Sequence, residues 1–167
     1  LMAMSLHSGF GITIFPRILP LLVSRLGYNE NIVNYYFFGF AAFGTAIALL
    51  MTSLKLTNWE LFVSGYASLV AFFFTMTSLC LTSAHLSYVA NQILLIISTL
   101  SWAFYCATTK MFLIVTCNKF VTSTNQALGE SIRANVTMIG RLTTAFATTF
   151  VYDNIFVFTI GNLALTI

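Results

Sequence analysis

The chain has 167 residues, 59% of them hydrophobic and only 7% charged, with a mean hydropathy of +0.92. A soluble domain carries roughly a quarter of charged residues, so this composition excludes one and points to an all-α integral membrane protein. Seven Lys/Arg stand against four Asp/Glu for a net charge of +3; they are scattered singly and form no basic patch for nucleic acid.

A span takes about 20 residues, so the length has room for about six helices and no sizeable soluble domain. One transmembrane domain, 1–167, is expected: a polytopic bundle with helices at about 6–24, 32–54, 61–81, 88–117, 131–151 and 155–167. The chain opens without Met and ends inside an apolar run shorter than a span, so it is expected to be a fragment. Its 17 Phe and 7 Tyr suit lipid-facing helices and interfacial belts. Cys80, Cys106 and Cys117 lack CxxC spacing and read as small buried hydrophobes.

The first segment contains Pro16 and Pro20, which remove backbone donors, so a kink or break is expected there. Arg17 lies between them and either snorkels to the headgroups or lines a pathway. GYNEN at 27–31 has turn composition. The second segment carries Gly39, Ala41, Ala42, Gly44, Ala46 and Ala48, small residues that predict tight packing on another helix. After a short polar connection at 55–60, the third segment offers only hydroxyls and Gly65 as polar features and is expected at the periphery.

The fourth segment runs on past 117 to about Phe120, longer than a bilayer requires. Asn91, Ser98, Trp102, Tyr105 and Thr109 fall within about 60° on a helical wheel and form a candidate cavity face. The competing reading makes Trp102 and Tyr105 ordinary packing aromatics. Lys110 is expected to snorkel near the inner end.

The stretch 122–154 is the most informative. On a helix, Glu130, Thr137, Arg141, Thr144 and Thr148 gather within about 60°, with Leu128, Ile132, Ile139, Phe146 and Phe150 opposite. One face suits a polar pathway and the other suits lipid. Glu130 and Arg133, spaced i, i+3, can pair at a helix end. Arg141 falls near mid-bilayer, where an ionisable group costs roughly 3 kcal/mol or more unless it faces a cavity or a partner. It is expected to bind an anionic group or to pair with a carboxylate on another helix; the alternative is a structural polar contact. Lys/Arg excess near Lys55, Lys119 and Arg133 assigns that side to the cytoplasm.

His7 and His85 fall on opposite sides of the membrane under alternating topology, which disfavours a shared haem. No HExxH, GxSxG or glycine-rich phosphate loop is present. No metal, cofactor or enzymatic activity is therefore expected.

FPRILPLLVSRLGYNE resembles the seventh helix of major facilitator superfamily transporters. SLKLTNWELFVSGYASLVAFFF resembles the loop and helix after the eighth, and NQALGESIRANVTMIGRL, with Gly140-Arg141, resembles the eleventh. The chain is thus similar to the C-terminal half of such a transporter, nearest the lysosomal and vacuolar branch. The resemblance implies that helices seven, eight, ten and eleven line a cavity while nine and twelve are peripheral. It also implies alternating-access transport of a small solute, with a proton as candidate coupling ion and an N-terminal six-helix half as partner. Arg141, Thr137, Thr144, Trp102 and Tyr105 are then the expected cavity residues, with Asn91, Arg17 and Glu130 as further candidates. The second hypothesis is a non-transporting six-helix accessory or assembly subunit, whose polar stripes serve as helix contacts.

Overall fold

A computed structural model describes residues 2–120 and 125–151. They form five helices: α1 (Met2–Arg25), α2 (Asn31–Leu54), α3 (Asn58–Thr82), α4 (Tyr88–Phe120) and α5 (Gln126–Val151). No strand occurs among the described residues. In hydrocarbon a helix satisfies every backbone N–H and C=O within its own segment, which is why apolar runs of this length take that form. Asn31–Leu54, Asn58–Thr82 and Tyr88–Lys119 are long and apolar enough to cross a membrane. Three such helices, rather than about six spans, are found among the described residues. The sixth expected helix, 155–167, lies outside them, as do the side chains of His7, Thr148 and Phe150.

The expected break in the first segment does not occur, for α1 runs unbroken through Pro16 and Pro20. Each proline removes one donor from the helix ladder. Against that loss, Ile14, Phe15, Ile18, Leu19, Leu22 and Val23 are all buried around the two prolines, and their packing holds the helix together. α1 ends in a Schellman motif: Tyr28 N–H donates to Val23 O at 3.1 Å and Gly27 N–H to Ser24 O at 3.1 Å. Gly27 carries the left-handed φ of 69° that this ending requires. Lys55 takes the left-handed position after α2, with φ 46°. α3 opens with a capping box: the Thr57 side chain accepts from Glu60 N–H, and Thr57 N–H donates to Glu60 Oε2 at 2.7 Å.

α4 is central, with α3 along one side and α2 along another, while α5 packs chiefly on α1. A core joins α1, α3 and α4 around Phe15, Phe72 and Trp102. Phe72 and Trp102 lie 4.5 Å apart between ring centroids, and Phe15 sits 5.9 Å from Phe72 and 6.2 Å from Trp102. Aromatic pairs of this kind contribute about 0.5–1.5 kcal/mol each beyond their buried area.

Close helix approach occurs where it was not expected. A Cβ on Gly9 would stand 2.1 Å from the backbone oxygen of Thr137, so α1 and α5 touch backbone to backbone. A Cβ on Gly65 would stand 2.8 Å from Thr108 Oγ1, which brings α3 close to α4. On α2, by contrast, nothing lies within 4 Å of a Cβ at Gly39, and Gly44 meets only Ala103 Cβ at 4.0 Å. The reason is angular. At 100° per residue the six small residues of α2 do not share one face: Ala41, Gly44 and Ala48 point one way, and Gly39, Ala42 and Ala46 the other.

Gly9→Ala is expected to cost about 1–3 kcal/mol through forced separation of α1 from α5. Gly39→Ala, into open space, is expected to be neutral or to gain up to about 1 kcal/mol from helix propensity. Thermal unfolding in detergent measures both; equal transition temperatures for the two variants would contradict the close contact.

Candidate functional site: a basic cavity between four helices

The α1–α5 pair and the α2–α3–α4 group meet through the aromatic core but separate toward the other end of the bundle. α4 and α5 make few contacts there. The gap is a cavity of about 650 Å³, within the roughly 300–1,000 Å³ common for small-molecule sites. α1 contributes Ser8 and Ile12, and α2 contributes the Ala41, Gly44 and Ala48 face together with Thr45. α4 contributes Ala103, Cys106, Ala107 and Lys110, which lie within one stripe at helical spacing. α5 contributes Arg133, Thr137 and Arg141, spaced i, i+4, i+8. α3 supplies none of the lining residues.

Three of the chain's seven basic residues therefore face one cavity. Arg133 is neutralised along its own helix, its Nη2 and Nε donating to Glu130 Oε2 at 2.6 and 2.8 Å. Arg141 is exposed, and its Nη1 lies 4.0 Å from Met138 Sδ. Lys110 is exposed as well. Among the described residues neither Lys110 nor Arg141 forms an ion pair, and no carboxylate lines the cavity. Phe40 both lines the cavity and lies against Phe15 at 6.2 Å between ring centroids. Phe15 in turn contacts Trp102, which links the cavity wall to the aromatic core.

The expected site residues divide into two groups. Arg141 and Thr137 come together on the cavity wall, and Glu130 lies beside them through Arg133. Thr144 is fully buried, its hydroxyl donating to Gly140 O at 2.9 Å. Trp102 and Tyr105 are core residues away from the cavity, with Trp102 at 0% exposure. Asn91 Nδ2 donates to Ser83 O at 3.0 Å and ties the start of α4 to the preceding turn. Arg17 is exposed and outside the cavity.

The polar stripe of α4 thus faces α3 and the core, not the cavity. Ser98 Oγ donates to Thr75 Oγ1 at 2.7 Å, and Thr108 and Thr109 lie against Gly65. Hydroxyls suit such a contact because they bond back to their own helix, as Thr99 does to Leu95 O at 2.8 Å and Thr108 to Phe104 O at 2.9 Å. They leave no unmet donor and are small enough for close packing.

Two features went unseen in the sequence. Lys110, expected to reach the headgroups, also lines the cavity; its i−3, i−4 and i−7 spacing to Ala107, Cys106 and Ala103 was the available signal. A second cavity of about 370 Å³ lies between α2 and α4, lined by Tyr35, Tyr36, Gln92 and Thr99, with Tyr36 OH donating to Gln92 Oε1. No group of three His, Cys, Asp or Glu residues that could hold a metal occurs among the described residues.

Trp102→Ala is expected to destabilise the fold by about 3–5 kcal/mol, the cost of emptying an aromatic core position. Arg17→Gln is expected to stay within about 0.5 kcal/mol of the parent. Denaturation in mild detergent distinguishes them, and a tolerated Trp102→Ala would remove Trp102 from the core. No family model, curated protein or solved structure matches the chain.

Proposed function

We propose that this chain forms a helical half of a secondary transporter of major facilitator type, which moves a small solute by alternating access. The observation that carries the reading is the cavity: α1, α2, α4 and α5 enclose it and α3 does not. The resemblance implied this division of labour for helices seven, eight, ten and eleven against nine. A water-lined cavity also explains why α5 can carry Arg133 and Arg141 in a chain of this hydropathy, since ionisable groups at bilayer depth need a cavity or a partner. The outward face of α5 has the opposite character, with Leu128, Ile132, Ile139 and Phe146 exposed, the last at 69%. A large exposed apolar surface of this kind fits a lipid surround.

Alternating access would open and close such a cavity to the two sides of the membrane in turn. A second six-helix half would face it across the solute site, and a proton is the candidate coupling ion.

The accessory-subunit reading draws on one observation, the α4 stripe spent on contacts with α3. It leaves the two unpaired cations of the cavity without a role.

In a cysteine-free background, Thr137→Cys should react with a water-soluble thiol reagent far faster than Phe146→Cys, measured in lipid vesicles. Equal rates would remove the aqueous cavity and with it the transporter reading. Arg141→Gln should lower solute uptake about tenfold or more if its guanidinium acts on the solute during the cycle; unchanged uptake of every accepted solute would sink that role.

A further inference from the structure

We propose that the cavity is an oxyanion site, and that a carboxylate or phosphate group of a small solute is held between Lys110 on α4 and Arg141 on α5. Three observations converge. Lys110, Arg133 and Arg141 line one cavity with no carboxylate among its lining residues. Glu130 satisfies Arg133 from outside the wall, at 2.6 Å, so among the described residues the uncompensated positive charge of the cavity resides on Lys110 and Arg141. These two belong to different helices that make few contacts with one another, and both line the cavity of about 650 Å³ between them.

The chemistry of the pair fits an oxyanion. A guanidinium presents a planar fork that matches carboxylate or phosphate with two parallel hydrogen bonds, while an ammonium acts as a compact point charge on the other side. Apart from the hydroxyls of Ser8, Thr45 and Thr137, the rest of the wall is apolar, and part of it is small. Ala41, Gly44, Ala48 and Ala107 make room and exclude competing protein acceptors. Thr137 Oγ1 already donates to Arg133 O at 2.9 Å and Thr45 Oγ1 to Ala41 O at 2.8 Å, so specificity rests on the two charges. A cationic solute entering this space would meet like charge on two walls, which costs affinity.

The binding statement stands on the cavity alone; that the bound anion is also the transported solute rests on the transporter reading. An anionic lipid headgroup offers the same oxyanion chemistry, and the test separates the two sources.

The full chain is purified in neutral detergent, and its thermal transition is followed with sodium succinate, inorganic phosphate or choline chloride at constant ionic strength. A parallel set in nanodiscs compares phosphatidylglycerol with phosphatidylcholine. Succinate or phosphate should raise the transition temperature. Lys110→Gln and Arg141→Gln should each weaken the response about tenfold, as expected when one charge-assisted partner is lost, and the double variant should abolish it. Arg17→Gln, an exposed cation outside the cavity, should respond like the parent. Helix content by circular dichroism confirms that each variant is folded, and Arg141→Lys with Lys110→Arg should restore part of the response.

An undiminished response in the double variant overturns the site, as does stabilisation by choline alone. Stabilisation by phosphatidylglycerol but by neither soluble anion overturns the assignment to a solute. Anion binding without uptake in vesicles leaves this site standing and removes the transporter reading. Uptake of a neutral or cationic solute with no anion response does the reverse.

Discussion

The backbone contact between α1 and α5 sets the position of both arginines in the cavity. A Cβ at Gly9 would stand 2.1 Å from the oxygen of Thr137, so only a residue without a side chain allows the two helices to meet there. Because α5 packs mainly on α1, this contact also sets its rotation. With Thr137 turned toward α1 and the cavity, Arg133 one turn before and Arg141 one turn after project into the same space. Leu128, Ile132, Ile139 and Phe146 are carried to the outside. A small residue at the crossing lets the two backbones approach closely enough for van der Waals packing along the contact.

Polar residues in this bundle follow two strategies that look alike on a helical wheel. Serine and threonine hydroxyls bond to the carbonyl one turn back, as Thr108 and Thr99 do, and are then free to enter a close helix contact. Cations have no such internal solution. A guanidinium or ammonium has only donors and cannot bond usefully to its own helix interior. Arg133 finds Glu130 one turn away, while Lys110 and Arg141 face the cavity. The same physical demand thus divides the polar residues of α4: the hydroxyls pack on α3, and the lysine turns to the gap.

The aromatic core supplies the other half of the geometry. Phe15, Phe72 and Trp102 interlock where α1, α3 and α4 meet. They hold the two helix groups together at one end while the groups part at the other. The cavity is the space left by that divergence, and the small faces of α2 and α4 widen it.

Composition and periodicity alone determined that the described chain is helical and where its first five helices lie, because a long apolar run satisfies its backbone most simply within its own segment. They also determined the two faces of α5, since its apolar and charged residues are segregated at helical spacing. The wheel could not say which neighbour each face would meet. Trp102 and Tyr105 share a stripe with Asn91, yet that stripe packs on α3 and the core; Lys110, read only as a headgroup anchor, lines the cavity. Likewise the small residues of α2 were visible, but their division into a cavity face and an open face depended on where α4 stood. Tertiary structure decided these points because facing is a relation between helices, and one helix's periodicity contains no information about its partner.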